Sequence, residues 1–386
     1  MSAEQRRVPL AEVGDFVAPG QPLPFKLVDP VGRLLLAAGQ VIANPRQLAA
    51  LLERGACVEY PDLVAARQAR AGSAAAPAPL VRQRTLFDRW EQQIGLLDAL
   101  LRRLGSEPQM QASIEAFADE HIALVDREAD VALFICMRQD ERRFALYGLT
   151  HALYTATVAL LAARVLGWPP ERARLAVLAA LTMNVSIAEL QARMAEQADP
   201  PTKKQLDQIR AHPQRSAGML RAGGVGDPAW LAAVEDHHER PGGGGYPRAL
   251  HEVDLLARLV RAADAFMAKV SPRAIRAHLT PPVAARQLFQ EEAGGPIAAA
   301  LIKAIGIYPP GDFVRLRNGD AAMIVRRAAG AAAPSALALQ DAKGRPLAGA
   351  PRRDTGLPEF AIAGPLNERA GLPRVLPEQV YGLLEP

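Results

Sequence analysis

Cysteine is nearly absent: Cys57 and Cys136 are the only two in 386 residues, and no CxxC spacing occurs. That excludes both a disulfide framework and a thiolate metal site, and leaves two inert thiols, expected to be buried. Charge of one sign is also scarce. Forty-five basic against 41 acidic residues gives a formal net charge of +4, with no run of five basic residues. Nucleic-acid binding therefore has no electrostatic footing. The opening "MSAEQRRVPL" lacks an apolar leader core, and no uninterrupted apolar stretch reaches the roughly 18 residues of a membrane helix. The expectation is a soluble, cytoplasmic protein without membrane insertion.

What is plentiful is alanine and leucine, within a composition 49% hydrophobic and 22% charged that suits a folded chain. Both residues lose little rotamer freedom in a helix. From Leu86 to Ile307 apolar residues recur at spacings of three and four, as in "FDRWEQQIGLLDALLRRLG" and "ALYTATVALLAARVLG". This predicts a bundle of roughly six to nine helices. Ahead of it, Asp29-Pro30-Val31-Gly32 between apolar runs predicts a hairpin, and "NPRQLAALLERGA" predicts a helix capped by Asn44 and ended at Gly55. The stretch 65–85, rich in Ala, Pro, Ser and Gly, reads as a linker. After the bundle, Asn318-Gly319 and Lys343-Gly344 each sit between strand-like runs and predict hairpins. The expected architecture is mainly α: a small mixed α/β unit (1–64), a linker (65–85), a helical domain (86–308) and a small β-rich domain (309–386).

Four of the seven histidines fall where facing helices of a bundle could converge: His151, His212 and the adjacent pair His237-His238. Neutral imidazoles are metal ligands, and two neighbouring ones followed by Glu239 are unusual on a solvated face. The pair runs into four glycines and then Tyr246-Pro247. Glycine there opens backbone conformations closed to other residues and lets a ligand approach the main chain.

These residues resemble the HD-GYP family, bacterial metal-dependent phosphodiesterases of the HD superfamily that hydrolyse cyclic di-GMP. The family segment HHExxDGxGYP is matched by "HHERPGGGGYP", His237 to Pro247. "THALYTATVALLAARVLG" resembles the helix of the first ligand, at His151; "RAHPQRS" resembles the HP segment, with His212; "LARLVRAADAFMA" resembles the helix ending in the last metal-binding aspartate, Asp264. "YPPGDFVRL" resembles the segment that closes these domains, so the likeness runs from His151 to about Leu316. It implies an HD-type helical bundle. By the same resemblance His151, His212, His237, His238 and Asp264 are metal ligands. Gly243, Gly245, Tyr246, Arg273 and Arg276 are implied to contact the nucleotide, and Glu239 is a candidate to orient water.

The departures matter as much. Where the family has "AALLHDIGK", this chain has "AALTMNVSI": Met183 and Asn184 replace the histidine-aspartate pair and Ile187 the lysine. Tyr147 stands where a glutamate is common, and Gly242 where the loop acid is expected. An aspartate bridging two cations about 3.5 to 4 Å apart offsets their charge, which one neutral amide oxygen does not. A thioether is a poor ligand for iron, manganese or zinc in this setting, and isoleucine gives no positive charge to a developing oxyanion. Three histidines and a water still suffice for one catalytic zinc elsewhere. The expectation is one divalent metal (iron, manganese or zinc) at the residual histidines, or none. The leading reading is a catalytically degenerate HD-GYP protein, a receptor for cyclic di-GMP or an interaction module for a signalling protein. The alternative is an active phosphodiesterase with a reduced metal site. A homodimer is compatible with these residues.

Overall fold

The computed structural model describes residues 7–72, 85–104, 106–107, 109–139, 141–275, 278–327, 333–366, 371–373 and 375–382. The chain divides into two compact units, Met1–Gln83 and Arg84–Pro386.

In the first unit, β1 (Arg7–Pro9), β2 (Leu27–Val28), β3 (Leu34–Leu36) and β4 (Cys57–Glu59) form an antiparallel sheet in the order β1-β4-β2-β3. The expected hairpin joins β2 to β3. The Asp29 carboxylate accepts from the amides of Val31 and Arg33, and Gly32 adopts the left-handed backbone that closes the turn. Helix α1 (Pro45–Glu53) starts where Asn44 accepts from the Gln47 amide, and α2 (Tyr60–Gly72) follows β4 directly. Phe25, Leu27, Ile42, Val58 and Leu63 form the core of this unit. Two expectations need correction. Residues 65–72, read as linker, are the second half of α2: alanine, arginine and glutamine are good helix formers, and Ala66 packs on the core beside Leu63. The rest of that stretch up to 84 lies outside the described residues. Cys57, expected to be buried, is only half-buried, with its thiol on the Gly55 carbonyl, whereas Cys136 is buried.

The second unit holds α3 (Leu86–Arg103), α4 (Gln111–Arg127), α5 (Ala129–Met137), α6 (Tyr147–Val165), α7 (Pro170–Thr182), α8 (Ala188–Glu196), α9 (Lys203–Ala222), α10 (Pro228–Asp236), α11 (Leu255–Val270), α12 (Pro281–Glu291) and α13 (Pro296–Ile305). That makes eleven α-helices among the described residues between Leu86 and Ile305, more than the six to nine that the periodicity predicts for this stretch. Long apolar runs break where side chains leave the helical pattern. "ERARLAVLAALTMNVSIAEL" reads as one helix but splits into α7 and α8 around a 3-10 turn, Val185–Ile187. Asn184 opens that turn at φ −106° and ψ 11°. Helix α6 runs through the core, buried along most of its length. Its Gly148 admits α8: a Cβ there would meet the Ala188 carbonyl oxygen at 2.5 Å. Two stretches, Arg143–Val165 and Pro170–Glu196, are long and apolar enough to cross a membrane by length and composition, and both are mostly buried within the bundle.

A five-stranded antiparallel sheet follows: β5 (Phe313–Leu316), β6 (Ala321–Arg326), β7 (Ser335–Gln340), β8 (Arg352–Asp354) and β9 (Ile362–Pro365), in the order β8-β7-β6-β5-β9, with a last short helix α14 (Pro377–Tyr381). Asn318-Gly319 turns β5 into β6 as expected, with Gly319 at φ 89°. The sheet shares its core with the bundle. Phe134 of α5 is buried among Phe313, Met323 and Leu337, and Arg327 donates to Asp130 at 2.6 Å. The fold is mainly α, a helical bundle flanked in sequence by a small mixed N-terminal unit and a small β-rich C-terminal one.

Candidate functional site

Pro213 lies inside α9 and has no amide hydrogen, so the carbonyl of Ile209 four residues earlier loses its helical partner. The His212 ring takes its place: Nδ1 donates to that carbonyl. A similar device acts at the end of α10. The Val234 carbonyl belongs to the last turn, whose acceptors have no partner within the helix, and His237 Nδ1 meets it at 2.7 Å. With both Nδ1 protons committed, each Nε2 is left as a lone pair, and the two face each other at 3.0 Å. Two facing lone pairs repel unless a cation or proton lies between them. Burial, aided by the neighbouring His237, pushes His212 down to about 3, and burial lowers His237 too, so both rings are neutral near pH 7. His238 completes the group. Its ligand atom lies within 4.8 Å of the other two, and burial also holds it well below the usual histidine range.

Across the cavity, His151 of α6 contacts Asp264 of α11 directly, Nε2 to Oδ1 at 2.7 Å. Burial by itself would raise the Asp264 carboxyl. The hydrogen bond from His151 and the electrostatic attraction of that imidazole outweigh it and hold the group well below the usual carboxylate range. An ionised carboxylate only accepts, so His151 Nε2 carries the proton and its Nδ1 is buried without a partner. The Tyr147 ring stacks on that imidazole, planes 10° apart and centroids 5.3 Å apart, and Arg273 donates to the Tyr147 oxygen at 2.6 Å.

His151, His212, His238, Asp264, Tyr246, Arg273, Asn184 and Ile187 all line one cavity of about 220 Å³. His237 sits behind it, fully buried. Asn184 is 5% exposed, and its amide nitrogen has no hydrogen-bond partner. Met183 turns away into the apolar core. The loop after the histidine pair is held from beneath by Glu239, whose two carboxylate oxygens accept from the backbone amides of Arg248 and Leu250. The candidate orienter of water is thus engaged as a clamp on the loop. Gly242 and Gly243 take left-handed backbone, and a Cβ at Gly245 would meet the Arg240 nitrogen and Glu239 Cα at 2.4 Å. Gly243 and Gly245 therefore shape the loop rather than line the cavity, while Tyr246 reaches in and stacks on His238, centroids 4.5 Å apart. Arg276 lies outside the described residues.

The three histidines fit one divalent cation: the rings are neutral, their ligand atoms lie within 4.8 Å of one another, and His212 and His237 have their second nitrogens anchored to carbonyls, which is how ligating imidazoles are oriented. The second metal position of a binuclear site does not fit. Its two remaining acidic or basic members, His151 and Asp264, are spent on each other, and the bridging place holds a neutral amide. Two polar lining residues are not evident from the sequence. Tyr147 was noticed only as a missing glutamate, and Gln191 of α8 carries no signal until the break at Val185–Ile187 turns α8 toward the cavity.

The HD domain family matches residues 127–295. The cyclic di-GMP phosphodiesterase PA4108 of Pseudomonas aeruginosa is 27% identical over 185 residues, 47% of this chain and 45% of that protein, so the alignment spans less than half of the relative's length. Among solved structures, Bd1817, an HDG"Y"P protein from Bdellovibrio bacteriovorus, is similar over 77% of this chain and 98% of its own, with a TM-score of 0.48 and 16% identity. The histidine pair, the glycine loop and Tyr246-Pro247 are thus assembled on one helical bundle, within residues that match the HD domain family and carry a motif of the HD-GYP type.

Proposed function

We propose that this chain is a catalytically degenerate HD-GYP protein that binds cyclic di-GMP as a cytoplasmic receptor in bacterial signalling and does not turn it over at an enzyme's rate. The observation that carries this is the direct His151–Asp264 hydrogen bond at 2.7 Å beside a neutral Asn184. Groups that would hold a second cation are closed on each other, and no anion is left to bridge two metals. Ile187 in the same wall supplies no charge to a developing oxyanion. Binding makes smaller demands: the loop, Tyr246 and Arg273 remain at the cavity, and an arginine can pair with a phosphate as a planar fork.

A reduced phosphodiesterase is the second reading, favoured by the one-metal geometry of His212, His237 and His238. Iron, manganese or zinc bound there would polarise a phosphoryl oxygen or a water. The protein's own contribution would be to hold the three rings neutral and oriented. Calorimetric titration of the purified protein with cyclic di-GMP, paired with chromatography of the nucleotide after hours with manganese or iron, separates the two. Saturable binding with intact nucleotide supports the receptor; conversion to the linear product at ordinary enzyme rates refutes it.

A further inference from the structure

The cavity contains two unsatisfied amide groups that the metal geometry does not use. The Asn184 carboxamide is 5% exposed with its nitrogen unpartnered, and Gln191 has a buried Oε1 without a partner. Both line the same space as Arg273. A buried polar atom left unpaired keeps its desolvation cost without a compensating bond, so two in one cavity are a standing demand for a ligand with complementary groups. A carboxamide turned half-way about its last torsion exchanges oxygen for NH₂, so Asn184 can present a donor to the cavity. Arg273 gives two of its N–H groups to the Tyr147 oxygen, and a guanidinium has five. The one carboxylate in the lining, Asp264, is tied to His151. A donor, a cation and an acceptor on one wall complement a phosphodiester oxygen next to a sugar hydroxyl or a base N–H.

Resting on the receptor reading above, we propose that Asn184, Gln191 and Arg273 form a metal-independent subsite for one phosphodiester-linked nucleoside of cyclic di-GMP. Asn184 donates to a non-bridging phosphate oxygen, Arg273 offsets the phosphate charge, and Gln191 accepts from the sugar or base. A neutral donor thus takes over the contact that a cation held by an anionic bridge would make. At about 220 Å³ the cavity is smaller than the roughly 300–1,000 Å³ of sites that enclose a drug-sized ligand, so it takes one phosphate with its sugar while the rest of the dinucleotide lies across the mouth beside Tyr246.

The test titrates cyclic di-GMP calorimetrically into the full chain, once after stripping with EDTA and once loaded with zinc, with metal content measured in both. The stripped protein should bind within about threefold of the loaded one. Asn184→Leu should weaken binding about tenfold or more and Gln191→Leu about fivefold, the range for hydrogen bonds to a charged and a neutral partner. Asn184→Asp, which sets a carboxylate against the phosphate, should be worse than Asn184→Leu in stripped protein. If Asn184→Leu loses its circular dichroism, Gln191→Leu decides alone. Binding by the zinc-loaded form only, or unchanged affinity in the folded variants, overturns the subsite while the receptor reading stands. Absence of binding in both forms overturns the receptor reading and the subsite with it.

Discussion

His212 and His237 meet nitrogen to nitrogen, Nε2 to Nε2 at 3.0 Å, because each ring's other nitrogen is tied to a backbone carbonyl at a place where its helix leaves that carbonyl unpaired. Metal affinity is thereby linked to a proline. In Pro213→Ala the restored amide competes for the Ile209 carbonyl and the His212 ring loses its anchor. Helix α9 should become more stable, since an interior proline costs about 3 kcal/mol, yet affinity for zinc should fall about tenfold, as when ligand-orienting partners are removed. Thermal melts of stripped protein and competition against a zinc dye would measure the two effects. A variant that is more stable and binds zinc undiminished would show that the Ile209 contact does not orient His212.

On the proposed reading, the second metal position is closed by chemistry that can be reversed. Met183→His, Asn184→Asp and Ile187→Lys together restore a nitrogen ligand, a bridging anion and a cation. Metal analysis of protein loaded with manganese should rise from one equivalent per chain to two, provided that His151 and Asp264 separate to receive the ion. A stoichiometry that stays at one would mean that the His151–Asp264 pair is more stable than the rebuilt centre.

The parts of the fold and the site fixed by local rules are legible in the sequence, and those fixed by packing are not. Asn44, Gly32 and Asn318-Gly319 act within a few residues of themselves, so their cap and turns could be read directly. The histidine pair and the glycine loop carried a family motif. By contrast, Gln191 enters the cavity only because one apolar run breaks at Asn184 and because Gly148 lets α8 approach α6, a contact between residues far apart in sequence. The use of Glu239 as a clamp depends on where residues 248 and 250 return, which no spacing reveals. Residues 65–72 show a related limit: a composition typical of linkers becomes helix once Leu63 and Ala66 find a core.

Glu239 is 0% exposed and receives two backbone amides, so its removal should loosen the loop without unfolding the bundle. Glu239→Ala orphans both amides, at about 1–3 kcal/mol each. Hydrogen exchange at Arg248 and Leu250 should accelerate by about tenfold or more, while amides of α6 keep their protection. Glu239→Gln, which retains an acceptor oxygen, should fall between. Equal exchange in all three proteins would assign the loop's order to its glycines and to Tyr246 instead.

His121 gives the fold a dependence on pH that is separate from the candidate site. It is fully buried in α4, with Nδ1 2.8 Å from the Gln93 carboxamide and Nε2 3.1 Å from the Thr157 hydroxyl, which itself donates to the Leu153 carbonyl. The threonine oxygen can therefore only accept from Nε2–H. A neutral ring then needs Gln93 to present its NH₂, the group that otherwise has no partner. Burial pushes His121 down to about 3. Below about pH 6.5 the unfolded chain binds a proton that the native state refuses, so stability falls as pH drops through that value and keeps falling until the folded value near 3 is reached. One such group contributes a slope of about 1.4 kcal/mol per pH unit across pH 6 to 4. Urea denaturation of His121→Leu should show a lower stability at pH 7, from the stranded Gln93 and Thr157, but a slope with pH shallower by about that amount. If the slopes of the two proteins coincide, His121 is protonated in the native state and its polar cage, not its burial, sets its charge.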